Sequence, residues 1–350
     1  MDRLYRLLAL GALMLGLVAC GPGGSSTASP GAGNGSVTLI LGAYTTPREA
    51  YAEIIPLFRQ FWKRKTGQEV QFQESYLGSG AQSRAIVEGF EADIAALSLE
   101  ADITRIQEAG LITHDWRSKP HRGMVTTSIA VLVVRKGNPK AIHDWGDLTQ
   151  PGLSILTPNP KTSGGAMWNI LALYGAAKRG FVEGVPKGDD AAAQEFLKAV
   201  LRNVSVMDKG ARESITNFEK GVGDVAITYE NEALVGQQSG QDYEMIIPRS
   251  TILIENPVAV IDKYVDKHGT RPVAEAFVDF LWTPEAQRIF AKYGLRVVEP
   301  QVAQEMAARY PSVIDLFTIE TFGGWEKAMP DFFGENGIYT RIIEEVQGQK

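Results

Sequence analysis

From Val37 onward the chain alternates short apolar, β-branched runs with longer stretches of helical period. Residues 37–41 read as a strand, 47–65 as a helix, 69–72 as a strand and 81–90 as a helix. That rhythm predicts an α/β sheet. The first helix carries its own punctuation: Thr46 and Glu49 fit a capping box with Pro47 at the first helical position, and Gly67 stops it. Phe58, Phe61 and Trp62 share helical spacing and read as core. Further on, 129–134 is β-branched, 137–140 is a turn, and 147–151 leads into a strand at 154–157 that opens a second α/β unit. Helices are expected at 164–178, burying Trp168, Ile170, Leu171, Leu173 and Tyr174, and at 190–202. A short strand at 225–229 precedes the acidic helix-starting residues Glu230 and Glu232. An extended stretch at 251–261 then leads to a helix at 273–282. The pattern predicts two lobes, with the chain crossing near 127–131 and returning near 252–258. Lobe I would hold 37–128 and 256–350, and lobe II 129–255.

The first 36 residues have a different texture. Arg3 and Arg6 precede an apolar run from Leu7 to Val18, the layout of a secretory signal. Its roughly twelve apolar residues fall short of the ~20 a membrane-spanning helix needs. Leu17-Val18-Ala19-Cys20 resembles the bacterial lipobox, which implies that 1–19 is removed and that Cys20 is lipidated as the first mature residue. Residues 21–35 are nearly all Gly, Ser, Pro, Ala, Thr and Asn, a composition that cannot order itself, so 20–36 reads as a flexible tether. The folded part is thus expected outside the cytoplasmic membrane, anchored to it by lipid. Losing Asp2, Arg3 and Arg6 with the signal moves the net charge from -6 to -7.

Composition removes several classes. With 44% hydrophobic residues the chain can bury a sizeable core. The acidic balance argues against coating nucleic acid. A single Cys excludes an intramolecular disulfide and a Cys-rich zinc site. No metal or cofactor is expected. Hydrolase, zincin and P-loop motifs are absent, and Gly221-x-Gly223-x-x-Ala226 matches a dinucleotide fingerprint only formally, since it precedes its strand. The four His are dispersed, and His143 reads as a packed or capping group beside Trp145.

Four loops share one physical property. Tyr44-Thr45-Thr46-Pro47, Gly78-Ser79-Gly80, Thr162-Ser163-Gly164-Gly165 and Lys209-Gly210-Ala211-Arg212 each put small or hydroxyl residues at an expected helix N-terminus. Opening N–H groups lack intrahelical partners and carry about half a positive charge, so such places hold anions without Lys or Arg. Taken singly, each loop reads equally as a cap or a tight turn.

From about Leu39 to Ile342 the sequence resembles the prokaryotic periplasmic sulfate-binding proteins of ABC importers. The likeness rests on Gly78-Ser79-Gly80, residues 135–140, Ile142-His143-Asp144-Trp145, residues 157–166, Gly223-Asp224-Val225, Glu230-Asn231-Glu232-Ala233-Leu234, Leu316-Phe317-Thr318-Ile319 and Phe322-Gly323-Gly324-Trp325. It implies a two-lobed type II periplasmic binding fold that closes on a dehydrated sulfate. It further implies an ABC permease with its ATPase as partner, and no enzymatic activity. By residue, it implies Thr45, Ser79, Ser163, Gly164, Gly165, Ala211 and Tyr229 at the ligand, supported by Gly78, Gly80, Gly210 and Arg212. Arg212 would orient its loop through a carboxylate or backbone acceptor without touching the anion. A monomer suffices for this role.

Two positions depart from the family pattern: Thr45 replaces an aspartate and Tyr229 a tryptophan. Indole only donates, whereas a phenol donates or accepts. Sulfate has acceptor oxygens alone and suits an all-donor site. Phosphate keeps a proton and needs an acceptor, for which Tyr229 is the one new candidate, so phosphate ranks below sulfate. Thiosulfate, molybdate and sulfate esters remain open, as do an extracytoplasmic ester hydrolase and a sensor that reports anion occupancy.

Overall fold

The computed structural model describes residues 35–348. The expected signal, Cys20 and most of the tether lie outside the described residues. Eleven strands alternate with helices: β1 (Val37–Tyr44), β2 (Val70–Leu77), β3 (Ile94–Ala96), β4 (Met124–Arg135), β5 (Ile155–Pro158), β6 (Val204–Asp208), β7 (Val225–Tyr229), β8 (Tyr243–Ile246), β9 (Ser250–Val260), β10 (Arg296–Val297) and β11 (Asp315–Phe317). Among the described residues they join in the order β2-β1-β3-β9-β4-β7-β5-β6, with β8 and β10 on β4 and β11 on β9.

Two long strands hold this order together. β4 pairs with β9 through Met124–Ile129, then with β7 from Ala130 to Val134. β9 pairs with β11 at Ser250–Ile252, with β4 at 253–257 and with β3 at Val258–Val260. These partner switches separate a parallel group, β2-β1-β3, from a second parallel group, β7-β5-β6. Each group needs crossover helices on its faces, and burial on both sides explains the near-continuous apolar runs of β3 and β7.

The first group packs the helix Arg48–Thr66 and the helices between 271 and 292 into one aromatic core. Phe58 is fully buried, with ring centroids 5.0 Å from Phe277 and 5.6 Å from Phe280. The second group encloses the helix Gly164–Lys178, buried on every face except at Lys178. A helix apolar all round must be covered all round. The sheet covers one side and the C-terminal stretch the other: Trp325 meets Trp168 edge-on at 4.6 Å, and Phe332 meets Tyr174 at 5.0 Å. Residues 317–346, expected with the first lobe, thus bury their apolar side chains among residues of the 130–254 stretch.

Local readings that fail do so for identifiable reasons. The capping box at Thr46 does not form: Pro47 occupies the N-cap with no side-chain bond, and Glu49 is drawn to Arg212 instead. Gly67 does end that helix, in the left-handed region at φ 75°. His143 is exposed rather than packed, and Trp145 is buried without it, donating its indole N–H to Ser250 O at 2.7 Å. The second helix runs Ser79–Val87.

Candidate functional site

The four loops singled out in the sequence, together with the end of β7, converge on one small cavity. Tyr44, Thr45, Thr46, Gly78, Ser79, Ser98, Ser163, Gly165, Ala211 and Tyr229 line a narrow cavity of about 10 Å³. That is about the room one water needs, so only a compact group can be enclosed there and a large organic solute is excluded. None of these ten residues carries a charge.

Five helices begin at its rim: Arg48–Thr66, Ser79–Val87, Gly164–Lys178, Ala211–Glu219 and Glu230–Gln238. A helix start normally satisfies its opening N–H groups with a capping side chain. Here Pro47, Gly78, Gly210 and Tyr229 supply none. Only Ser163 caps, and its hydroxyl accepts from Ala166 N at a long 3.4 Å. Four uncapped helix starts and one weakly capped, each adding about half a positive charge, make a site for an anion.

Two glycines are dictated by contact. Gly78 has φ −58° and ψ 140°, open to any residue, but a Cβ there would stand 2.5 Å from Thr162 O and 2.8 Å from Lys209 O. A Cβ at Gly165 would stand 2.6 Å from the Tyr229 ring. Gly164 lies between Ser163 and Gly165 of the lining, and a Cβ there would strike Leu99 and Ser98. Gly80 and Gly210 stand behind the lining.

The hydroxyls divide by commitment. Ser79 Oγ donates to Asp102 Oδ2 at 2.6 Å and accepts from Ser98 N at 2.9 Å. Its proton is spoken for, which leaves the main chain as its means of reaching a ligand. Ser163 Oγ accepts from Ala166 N and keeps its own proton to give. Tyr229 Oη lies 2.6 Å from Ser98 Oγ, and burial holds the phenols of Tyr229 and Tyr44 above their ordinary range, so both remain protonated. Tyr44, Thr46 and Ser98 were not selected from the sequence. The signal for Ser98 was available: a small hydroxyl residue two positions beyond the end of β3 and just before the helix Glu100–Glu108.

Charge enters from behind. The Arg212 guanidinium, with its side chain about one quarter exposed, bonds Glu49, bonds Glu232 Oε2 at 2.6 Å, and donates to Thr46 O at 3.4 Å. Burial pulls its pKa down, but Glu232 and Glu49 outweigh burial and raise it. It therefore keeps its charge and pins the loop at Thr46 without lining the cavity. Further bonds tie the two strand groups across the cavity. Trp168 Nε1 donates to Ser98 O at 3.0 Å, Ala81 N to Thr162 O at 3.1 Å and Arg84 Nη2 to Lys161 O at 2.7 Å. Among the described residues no cluster of His, Cys, Asp or Glu is arranged to hold a metal ion, and no helix is long and apolar enough to cross a membrane.

Residues 39–296 match the family described as bacterial extracellular solute-binding protein. The chain belongs to that family. It is 45% identical over 340 residues to a sulfate-binding protein of Synechococcus elongatus, covering 97% of this chain and 95% of that one. A sulfate-binding protein of Escherichia coli K12 is 43% identical over 311 residues, covering 87% and 93%. Among solved structures, the sulfate-binding protein SubI from Mycobacterium tuberculosis H37Rv superposes with a TM-score of 0.77 at 36% identity, covering 85% of this chain and 99% of that one. As a solute-binding protein the chain is an extracytoplasmic transport receptor rather than an enzyme, and its α/β fold is the two-lobed periplasmic binding fold.

Proposed function

We propose that the chain captures sulfate outside the cytoplasmic membrane and delivers it to an ABC importer. The observation that carries this reading is the convergence of five helix starts, four without a side-chain cap, on one small charge-free cavity. A lining of main-chain N–H groups and hydroxyls, with no carboxylate in it, suits a dianion that has only acceptor oxygens. Hydrogen bonds to a charged group contribute roughly 1.5–3 kcal/mol each, and micromolar affinity requires about 8 kcal/mol net, so six or seven donors suffice after association costs. The ligand contacts in this reading are the main-chain N–H groups of Thr45, Ser79, Gly164, Gly165 and Ala211, the Ser163 hydroxyl and the Tyr229 phenol. The names of the relatives point to the same anion.

The lobes in this reading are 37–128 with 256 to about 312, and 129–255 with the C-terminal stretch that packs on it. They hinge where β4 and β9 change partners. Lipidated Cys20 and the 20–36 tether hold the receptor at the membrane. Calorimetric titration of the purified chain, stripped of anion, tests the proposal. Saturable, roughly micromolar sulfate binding that thiosulfate and molybdate displace less effectively supports it, and absence of saturable sulfate binding refutes it.

A further inference from the structure

Ser98 is held with unusual firmness for a residue outside regular structure. Its N–H donates to Ser79 Oγ, and its carbonyl accepts from Trp168 Nε1 and from Asn256 Nδ2, both at 3.0 Å. Those partners sit on three separate elements: the helix Ser79–Val87, the helix Gly164–Lys178 and β9. The residue is buried, with 1% of its surface exposed, and its hydroxyl is fixed at the cavity wall 2.6 Å from Tyr229 Oη. The two hydroxyls come from opposite sides of the cavity, one beyond β3 and the other at the end of β7.

Such a pair differs chemically from a single donor. Each hydroxyl has one proton and two lone pairs. Their mutual bond uses one proton and one lone pair, leaving one proton to donate and lone pairs to accept. Either oxygen can be the inner donor, so the pair turns from giving to receiving by rotating two O–H bonds. Two further hydroxyls on the lining, Tyr44 Oη and Thr46 Oγ1, are buried and find no partner at normal hydrogen-bond distance and angle. They add acceptor capacity that an anion without a proton leaves unused.

We infer that Ser98 is a specificity-determining residue of the oxyanion site. Through its bond to Tyr229 it forms a reversible donor–acceptor contact, and this contact admits a tetrahedral dianion that retains one proton, the class of hydrogen phosphate, beside sulfate. The inference rests on the oxyanion reading of the cavity and extends its ligand range. In the sulfate complex the free proton of the pair points at a ligand oxygen. In the hydrogen phosphate complex the ligand P–OH donates to one hydroxyl oxygen of the pair, which keeps its own donor bond.

The test is competitive calorimetry on the full chain at mildly alkaline pH, where inorganic phosphate is the monohydrogen dianion. Sulfate and phosphate are titrated into the unsubstituted protein, Ser98→Ala and Tyr229→Trp, with thermal melts confirming that each variant folds. The expected result is measurable phosphate binding, weaker than sulfate, and a loss of phosphate relative to sulfate of about tenfold or more in both variants. Tyr229→Trp keeps a donor and removes the phenol lone pairs, leaving Ser98 Oγ as the pair's one acceptor, so a merely structural role for the pair would not change the ratio there. An unchanged ratio in both variants, or no phosphate binding by the unsubstituted protein, overturns the inference. Phosphate binding that depends on Ser98 in a chain that ignores sulfate would uphold the inference while refuting the sulfate assignment.

Discussion

Ser163 offers the sharpest single perturbation, because it performs two separable tasks. Its hydroxyl oxygen caps the helix Gly164–Lys178 through Ala166 N, and its hydroxyl proton stays free to donate at the cavity wall. Replacement by Ala removes both. The cap bond is long at 3.4 Å, so its loss costs stability near the low end of the usual 0.5–2 kcal/mol for an N-cap, a drop of a few degrees in Tm at most. The donor is a bond to a charged ligand and contributes about 1.5–3 kcal/mol, or roughly ten- to 150-fold in Kd. Glycine separates the tasks, since Gly is nearly as good an N-cap as Ser yet has no hydroxyl. Calorimetric titration with sulfate should therefore show a loss of at least about tenfold in both Ser163→Ala and Ser163→Gly, and only the Ala variant should melt lower. If both variants hold sulfate within about twofold of the unsubstituted chain, the Ser163 proton does not reach the anion and the donor ring is drawn wrongly.

Three other substitutions probe the surroundings. Gly78→Ala puts a methyl against Thr162 O and Lys209 O, two backbone atoms across the cavity that cannot swing away. Sulfate affinity should fall by about tenfold or more, and the sulfate-loaded variant should scatter X-rays as a less compact particle than the parent; equal affinity and equal compaction would contradict this. Arg212→Ala leaves the buried Glu232 carboxylate unpaired, which should lower unfolding free energy by about 3–5 kcal/mol, measurable by denaturant titration. Restoring most of that loss with a second change, Glu232→Gln, would identify the stranded charge as the cause. His268 supplies the pH dependence. Burial lowers its pKa, but bonds to Asp93 at 2.9 Å and Glu91 at 3.0 Å outweigh burial and raise it above 6.5. Facing an acceptor at each ring nitrogen, the ring is fully bonded only as the imidazolium. Its stabilising contribution is thus complete below the unfolded-state pKa and fades as pH rises through the raised value. The Tm gap between the parent and His268→Gln should narrow on that rise; a constant gap would show that the ring does not titrate there.

The sequence showed the site more clearly than the architecture. Helix starts are local, so Gly78-Ser79-Gly80 and Thr162-Ser163-Gly164-Gly165 announced themselves without knowledge of where they meet. Long-range competition was invisible: Thr46 and Glu49 look like a capping box until Arg212, on another helix, takes the Glu49 carboxylate. Ser98 gave the same small-hydroxyl signal as the other loops but lacked a neighbouring Gly, so it did not stand out. β4 begins at Met124, five residues before the β-branched run, because Thr126 and Ser128 are buried polar residues inside a strand. The C-terminal stretch begins with a short strand and short helical pieces of little period, ahead of the longer helix Ile338–Gly348. Its place against the Gly164–Lys178 helix follows from the all-round apolarity of that helix, which the sequence showed without naming what would cover it.

The central claim is that main-chain N–H groups at converging helix starts, rather than cationic side chains, hold the anion. Amide proton and nitrogen shifts of the isotope-labelled chain during a sulfate titration test it most directly. The account predicts that the amides of Ser79, Gly164, Gly165 and Ala211 move together towards stronger hydrogen bonding and saturate at one sulfate per chain. Saturable sulfate binding that leaves those four amides unmoved, while Arg or Lys side-chain signals respond, would contradict it.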